Sequence, residues 1–436
     1  MRRRASTPSA TPEPVTVRVA GLGAEGDGIA ALADGSPAYV PLALPGELVR
    51  ARPLARRGAG WAAALEGVLE PSAERAVPGC PHFGACGGCV AQHMGDPAYL
   101  AWKSAELGAA LRRAGFADPP LTPPVRTAPG TRRRMDLAIR RVGNRWRVGL
   151  HRRRSGEVVD LDECLVLHPA LAALIAPLRG LGPSGVRREG SVIANLLDNG
   201  PDLLLRTDAP LTLADRVALT AFARAHGLSR VSWALRDAAP EPVCVLRTPE
   251  ITLSGVAVSP PPGAFLQATG ATEAAITAAV LAGLPETLPA RARLTELYAG
   301  CGTLTFALAQ RAKVRAWEGD PDALAALAAA ARLAGLSGRI EARPRDLARQ
   351  PLSAAELAGS AAVVLDPPHA GAPAQMAGIA AARAPRVVYV SCNPAALSRD
   401  ARPLAAAGYR VERVTPIDQF LWSARIESVL VFSFGG

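Results

Sequence analysis

The stretch ELYAGCGTLTFALA, Glu296 to Ala309, passes from an apolar run through a glycine-rich turn into a helical pattern. Glycines in such a turn let the backbone approach a ligand closely. Eighteen residues beyond Gly300, closing the next apolar run, stands Glu318. An acid in that place takes both hydroxyls of a ribose. A dinucleotide site needs G-x-G-x-x-G, and Thr305 fills the third glycine position. That weakens a dinucleotide and favours S-adenosyl-L-methionine, which brings a ribose without a pyrophosphate. A plain structural turn is the alternative.

From about Pro261 onward, apolar strands such as VRAWEGD, AAVVLDPP, RVVYVSCNP and IESVLVFSF alternate with Ala-rich helices such as ALAALAAAARLAGL. The alternation predicts an α/β domain, a parallel sheet with helices on both faces, whose ligands bind beyond the carboxyl ends of the strands. Three further features fall at those ends. Asp366-Pro367-Pro368 closes one strand with a rigid, donor-poor loop. It resembles the Asn/Asp-Pro-Pro-Tyr loop with which nucleic-acid methyltransferases hold a base, although a tight surface turn would look the same. The run VVYVSCNPAAL, Val387 to Leu397, ends a strand on Cys392 with Pro394 two residues later. A free cysteine there is either a small core hydrophobe or a nucleophile delivered to a site. Near the C-terminus Glu427 is set among Ile426, Val429 and Val431, a setting that poises a carboxylate to take a proton. Thiol and carboxylate together suit C5 of uracil, a poor nucleophile. Sulfur adding at C6 makes C5 an enolate carbon, and a base then removes the C5 proton.

The remainder of the 436 residues reads as a disordered tail (1–13), a small β-barrel of oligonucleotide-binding type (14–72) and a mixed α+β domain (73–260), before the domain at 261–436. The basic start has no apolar segment behind it, so no secretory signal is expected; nor is a membrane span, and a cytoplasmic protein follows. There are 49 Lys and Arg against 38 Asp and Glu, a net charge of +11. Nearly all the cations are Arg, which suits a polyanionic partner, though a GC-rich gene writes Arg, Ala, Gly and Pro as well. Arg132, Arg133, Arg134, Arg152, Arg153 and Arg154 are candidate RNA contacts. The segment CPHFGACGGC carries Cys80, Cys86 and Cys89 as C-x5-C-x2-C, and Cys164 is a candidate fourth ligand. Four thiolates hold zinc or an iron–sulfur cluster, and spacing alone does not separate the two.

Taken together these motifs resemble the RNA 5-methyluridine methyltransferase family over nearly the whole chain. GLGAEGDGIA with YVPLALPGE resembles its N-terminal RNA-binding TRAM barrel, and CPHFGACGGC with Cys164 its [4Fe-4S] ligand set. AFLQATGATEAAI resembles its Phe-x-Gln motif and ELYAGCGTLTFALA its cofactor loop. LDPPHAG resembles its Asp-Pro-Pro-Arg-x-Gly loop, YVSCNPAAL its nucleophile loop, and DQFLWSARIES its Asp-x-Phe-Pro…His-x-Glu segment. The resemblance implies a Rossmann-like methyltransferase domain with Cys392 as nucleophile and Glu427 as base. It implies a methyl-donor site lined by Gln267, Tyr298, Thr303, Glu318, Asp346 and Asp366, and a cluster on Cys80, Cys86, Cys89 and Cys164. His369 stands where the family usually has Arg, Arg425 where it has His, Leu421 where it has Pro, and Thr303 where Asn is common. The barrel and the cluster point to 23S rRNA, with uridine 54 of tRNA as the alternative and a non-catalytic RNA-binding iron–sulfur protein as the rival. No stable protein partner is expected.

Overall fold

The structure is a computed structural model and describes residues 13–181 and 184–435. The tail expected at 1–13 lies outside them except for Glu13. The chain divides into two compact units, one running to Trp102 and including Trp422–Ala424, the other holding Lys103–Leu421 and Arg425 onward.

In the first unit, strands Val15–Leu22, Gly28–Ala31, Pro37–Val40, Leu48–Arg57 and Gly60–Glu70 close into a five-stranded barrel. Alternate residues point inward, as the period of a strand dictates, so Val17, Val19, Val40, Val49 and Ala51 form the barrel core. The barrel expected from the short turn-separated runs is present.

The second unit contains a seven-stranded sheet, a two-stranded ribbon (Ile251–Leu253 with Val256–Val258) and an eight-stranded sheet. The order across the last is Ile340–Pro344, Lys313–Glu318, Arg293–Leu297, Ser360–Leu365, Arg386–Ser391, Glu427–Ser433, Arg410–Asp418 and Val125–Arg126. Its central strands are buried on both faces. Ala362 and Val364 join one core with Phe306, Leu327 and Ile276, while Val363 and Leu365 join the other with Met376, Ile379 and Leu404. The strand order reverses between Arg293–Leu297 and Ser360–Leu365, which makes their carboxyl ends the expected place for a ligand.

Two features differ from the sequence expectation. The sheet is not wholly parallel: Glu427–Ser433 runs antiparallel to both of its neighbours, while the other pairs are parallel. Apolar periodicity carries no strand direction, and here the direction matters, since it brings the start of the last strand to the end of Arg386–Ser391. The segment after Lys103, assigned by sequence to the middle domain, instead belongs with this sheet. Leu107, Leu111 and Ala114 pack into its core, and Val125–Arg126 pairs beside Arg410–Asp418. An edge strand of two residues has no pattern to read.

Lys103 makes a buried ion pair with Asp418 at 2.5 Å, the two side chains 1% and 0% exposed, and also donates to the carbonyl of Phe420. Lys103→Met leaves the Asp418 carboxylate buried with its cation gone. It is expected to cost about 3–5 kcal/mol in denaturant unfolding. The double variant Lys103→Met/Asp418→Leu is expected to recover most of that.

Candidate active site

Cys392 stands on the turn between strand Arg386–Ser391 and the short helix Pro394–Asp400. The proline after it is explained locally. Asn393 is the helix N-cap, its side chain accepting from the backbone N–H of Ala395 at 3.0 Å. Pro394 takes the first helical position, where no backbone donor is missed. Strand, thiol, cap and helix thus follow in four residues. Ser391 faces Ser428 across the antiparallel register, with Ser428 Oγ donating to the Ser391 carbonyl at 3.1 Å. One residue further on from each stand Cys392 and Glu427, and the Glu427 charge bears on the thiol. The structure therefore brings together the two residues assigned to the chemistry. Burial, with the carboxyls of Glu427 and Asp366 nearby, pushes the Cys392 thiol up to about 12, while Arg425 acts in the opposite sense.

Glu427 is buried, and its Oε1 has no hydrogen-bond partner. Its other oxygen accepts from Gln419 Nε2 at 2.5 Å. The same Gln419 amide reaches Gln267 Oε1 at 2.9 Å, and Gln267 Nε2 donates to Asp366 Oδ2 at 2.9 Å. A chain of two carboxamides therefore joins Glu427 to Asp366. Burial and then the Asp366 charge raise Glu427 well above its ordinary range. Asp366 keeps some exposed surface, yet desolvation of its carboxyl raises it to about 7. Gln419 is a site residue that the sequence did not disclose. It was visible only as the middle letter of DQF, and its role depends on partners 152 and 8 residues away.

The Asp-Pro-Pro loop is held from behind by two more residues that the sequence missed. Asp400, buried, accepts from Ala372 N at 2.6 Å and from Tyr389 Oη at 2.8 Å, and Arg399 donates to the Ala370 carbonyl at 2.6 Å. Gly371 has φ +78°, and a Cβ there would meet Asp400 Oδ2 at 2.3 Å. Only glycine fits. Of the arginines expected to face RNA, Arg133 instead pairs with Glu273 at 2.5 Å and donates to the Gln267 carbonyl at 3.0 Å, so it supports the site. Arg134 is largely buried, which lowers its pKa.

The residues expected to hold a methyl donor gather at the reversal of strand order. Glu318 ends its strand with Oε2 accepting from Gly300 N at 2.7 Å and Oε1 from Gly319 N at 2.6 Å and Asp320 N at 2.7 Å. Its carboxylate is fixed in direction, with both lone pairs of Oε1 taken and one of Oε2 left. At Gly300, φ +54°, an added Cβ would meet nothing within 4 Å, so the loop faces open space. Tyr298 is left-handed at φ 64° and half-buried, Thr303 is half-buried in the turn, and Asp346 is exposed just past the outer strand. Behind them the buried Glu296 has an unpartnered Oε2, and burial raises it to about 8. Open space beside this many carboxyl groups fits a cationic sulfonium donor that carries a ribose.

Residues 352–433 match the model of the family described as tRNA (Uracil-5-)-methyltransferase. Over 423 residues the chain is 38% identical to an uncharacterized RNA methyltransferase of Caulobacter vibrioides, covering 94% of this chain and 98% of that one. It is 36% identical over 408 residues to the 23S rRNA (uracil(1939)-C(5))-methyltransferase of Aeromonas salmonicida, 91% of this chain and 92% of that protein. The chain belongs to the RNA (uracil-5-)-methyltransferase family. It is an S-adenosyl-L-methionine-dependent RNA methyltransferase. Its fold is similar to that of the tRNA (uracil-54, C5)-methyltransferase of Pyrococcus abyssi in complex with S-adenosyl-L-homocysteine. That likeness has a TM-score of 0.69 at 19% identity, over 96% of this chain and 100% of the other.

Cys80, Cys86 and Cys89 belong to the first unit and Cys164 to the second; all are half-buried and none forms a disulfide. Among the described residues no three His, Cys, Asp or Glu side chains are gathered in a group that could hold a metal ion. No helix among the described residues is long and apolar enough to cross a membrane.

Proposed function

We propose that this enzyme methylates C5 of a specific uridine in 23S rRNA through a covalent bond between Cys392 and C6 of the base. The observation that carries the proposal is a strand-end thiol that feels the charge of a buried carboxyl with one unpartnered oxygen, each one residue beyond the Ser391–Ser428 pair. Cys392 adds to C6, and the C5=C6 electrons move onto C5 and O4. S-adenosyl-L-methionine, which Glu318, Gln267, Asp366, Tyr298, Thr303 and Asp346 would hold, would supply the methyl group to C5, its S–CH3 bond breaking and S-adenosyl-L-homocysteine departing. Glu427 in its carboxylate form then removes the C5 proton, the double bond reforms and the sulfur leaves. Gln419 fixes the direction of Glu427 throughout.

The target base has to leave its stack for sulfur to reach C6. For the surrounding RNA we assign two basic surfaces. On the barrel, which takes the TRAM role, Arg56 lies over Trp61 at 4.4 Å and Arg57 over Tyr39 at 4.6 Å. On the seven-stranded sheet a cleft of about 770 Å³ is lined by Trp146, Arg145, Arg147, Arg152 and Arg179. Aromatic faces with guanidinium groups suit stacked bases and phosphates. The choice of 23S rRNA over tRNA rests on the Aeromonas salmonicida relative. Its test is mass mapping of 5-methyluridine in rRNA and tRNA from a strain lacking the gene. One 23S position is expected to lose its methyl group, and loss confined to tRNA contradicts the assignment.

We also assign Cys80, Cys86, Cys89 and Cys164 to a [4Fe-4S] cluster, on their thiolate chemistry and spacing and on the N–H of Gly88 directed at Cys86 Sγ, 3.4 Å away. No step of the reaction passes through it. Anaerobically purified protein is expected to be brown and to contain iron and sulfide, and Cys86→Ser to lose both along with stability. Stoichiometric zinc without sulfide, or no bound metal, contradicts the cluster.

A further inference from the structure

The thiol of Cys392 faces a difficulty that the reaction outlined above does not resolve. Glu427 and Asp366 both oppose its ionisation, and Glu427 is reserved for the C5 proton. One other base reaches it. His369, on the Asp-Pro-Pro loop, has Nδ1 3.7 Å from Cys392 Sγ. The ring is held in place from two sides. Asn393 Nδ2 donates to the His369 carbonyl at 2.9 Å and lies 3.4 Å from its Nε2. Arg425 Nη1 lies 2.8 Å from Nδ1 and 3.0 Å from Nε2. A guanidinium only donates, and at nearly equal distances from both ring nitrogens it holds the ring without sitting on either in-plane lone pair; a neutral imidazole carries one such pair, which is what a base for the thiol needs. The charged groups around this ring are Arg425 on the segment before Glu427, Cys392 on the turn, and Arg399, which holds the loop at Ala370. Glu427 and Asp366 bear on the thiol. The ring is exposed, so a proton taken up at one nitrogen is passed to water from the other.

The identities at these two positions support a working pair. In the resembled motifs the Asp-Pro-Pro loop carries Arg and the position two before the glutamate carries His. Here the loop carries His369 and the second position Arg425. An imidazole and a guanidinium stand at the two positions and meet.

We infer that His369 is the base that takes the Cys392 thiol proton as sulfur adds to C6, with Arg425 orienting the ring and stabilising the developing thiolate. The step balances: the S–H bond breaks, its proton moves to His369, the sulfur electron pair forms S–C6, and the C5=C6 pair moves onto C5 and O4. On elimination the sulfur leaves with the S–C6 pair and regains a proton from His369 or water. The inference rests on the proposed role of Cys392, and it is tested separately from that role.

The first readout needs neither RNA nor methyl donor. The rate at which iodoacetamide alkylates Cys392 is followed by peptide mass mapping across pH. His369→Gln is expected to slow alkylation at neutral pH about tenfold or more and to move its midpoint to higher pH. The second readout is single-turnover methylation. His369→Gln is expected to lower it by about 10²-fold, within the range of general acid–base catalysis, with affinity for S-adenosyl-L-methionine and RNA unchanged. His369→Arg, which supplies charge without a base, is expected to stay slow. The exchange variant His369→Arg/Arg425→His is expected to recover to within about tenfold of wild type, since it restores one imidazole and one guanidinium. Alkylation of His369→Gln at the wild-type rate overturns the inference, as does full activity in His369→Arg alone. Absence of methylation in the wild type would overturn the proposed function instead, leaving alkylation to decide the His369–Cys392 pairing.

Discussion

Replacing Cys392 with alanine is expected to abolish methylation, lowering turnover by about 10⁴-fold or more, as loss of a covalent nucleophile does. It should leave the fold intact. Cys392 is half-buried on a turn whose geometry is set by Asn393 and Pro394, and a methyl in place of the thiol disturbs neither cap nor strand. Thermal unfolding and S-adenosyl-L-methionine binding by calorimetry check this, and both should match wild type. Residual turnover within tenfold of wild type would remove Cys392 from the mechanism. Cys301, buried in the core and pushed up to about 12 by that burial, offers no substitute nucleophile.

Glu427→Gln is expected to separate stability from chemistry. Turnover should fall by about 10²–10⁴-fold, the usual range for a lost proton-transfer group. The block lies after sulfur addition and methyl transfer, so a methylated covalent complex should accumulate, visible as a band that survives denaturing gel electrophoresis. Stability should move the other way. Burial raises Glu427 well above its ordinary value, so as pH climbs past the normal carboxyl range the unfolded chain ionises while the fold retains the proton. The unfolded state then binds fewer protons, and wild-type stability falls as pH rises toward the folded pKa. Asp366 adds the same trend between 3.8 and about 7. Glutamine removes the Glu427 contribution while still able to pair with Gln419. The melting-temperature advantage of the variant should therefore be absent at pH 4 and grow toward pH 8. Wild-type turnover should rise over the upper part of the same window, because only the carboxylate removes a proton. A variant no more stable at pH 8 than at pH 4 would show that Glu427 ionises normally.

Cys392 and Glu427 were readable in the sequence because each stands at the end of an apolar strand run, where a polar residue signals a site. Glu318 was readable from its distance to the glycine turn. What brings Glu427 beside Cys392 was not, since strand direction leaves no mark on apolar periodicity. Gln419, Asp400 and the contact of His369 with Arg425 were hidden for a related reason: each works through partners on other loops, and no local pattern marks a long-range side-chain pair. Arg133 read as an RNA contact because arginine runs are usually solvated, and Glu273, 140 residues on, turns it into an internal support. The barrel was legible from its short turn-separated runs. The cysteine spacing was equally legible, but spacing records donor type and does not assemble a ligand group.

The most direct measurement is trapping. A 23S rRNA transcript made with 5-fluorouridine is incubated with the enzyme and S-adenosyl-L-methionine, digested, and analysed by mass spectrometry. Fluorine at C5 cannot leave as a proton does, so the covalent bond should persist. The account predicts one peptide, containing Cys392, that carries a 5-fluorouridine nucleotide with one added methyl group, and no such peptide from Cys392→Ala. A complex attached through any other residue, or methylation of ordinary RNA with no covalent species trapped, would contradict it.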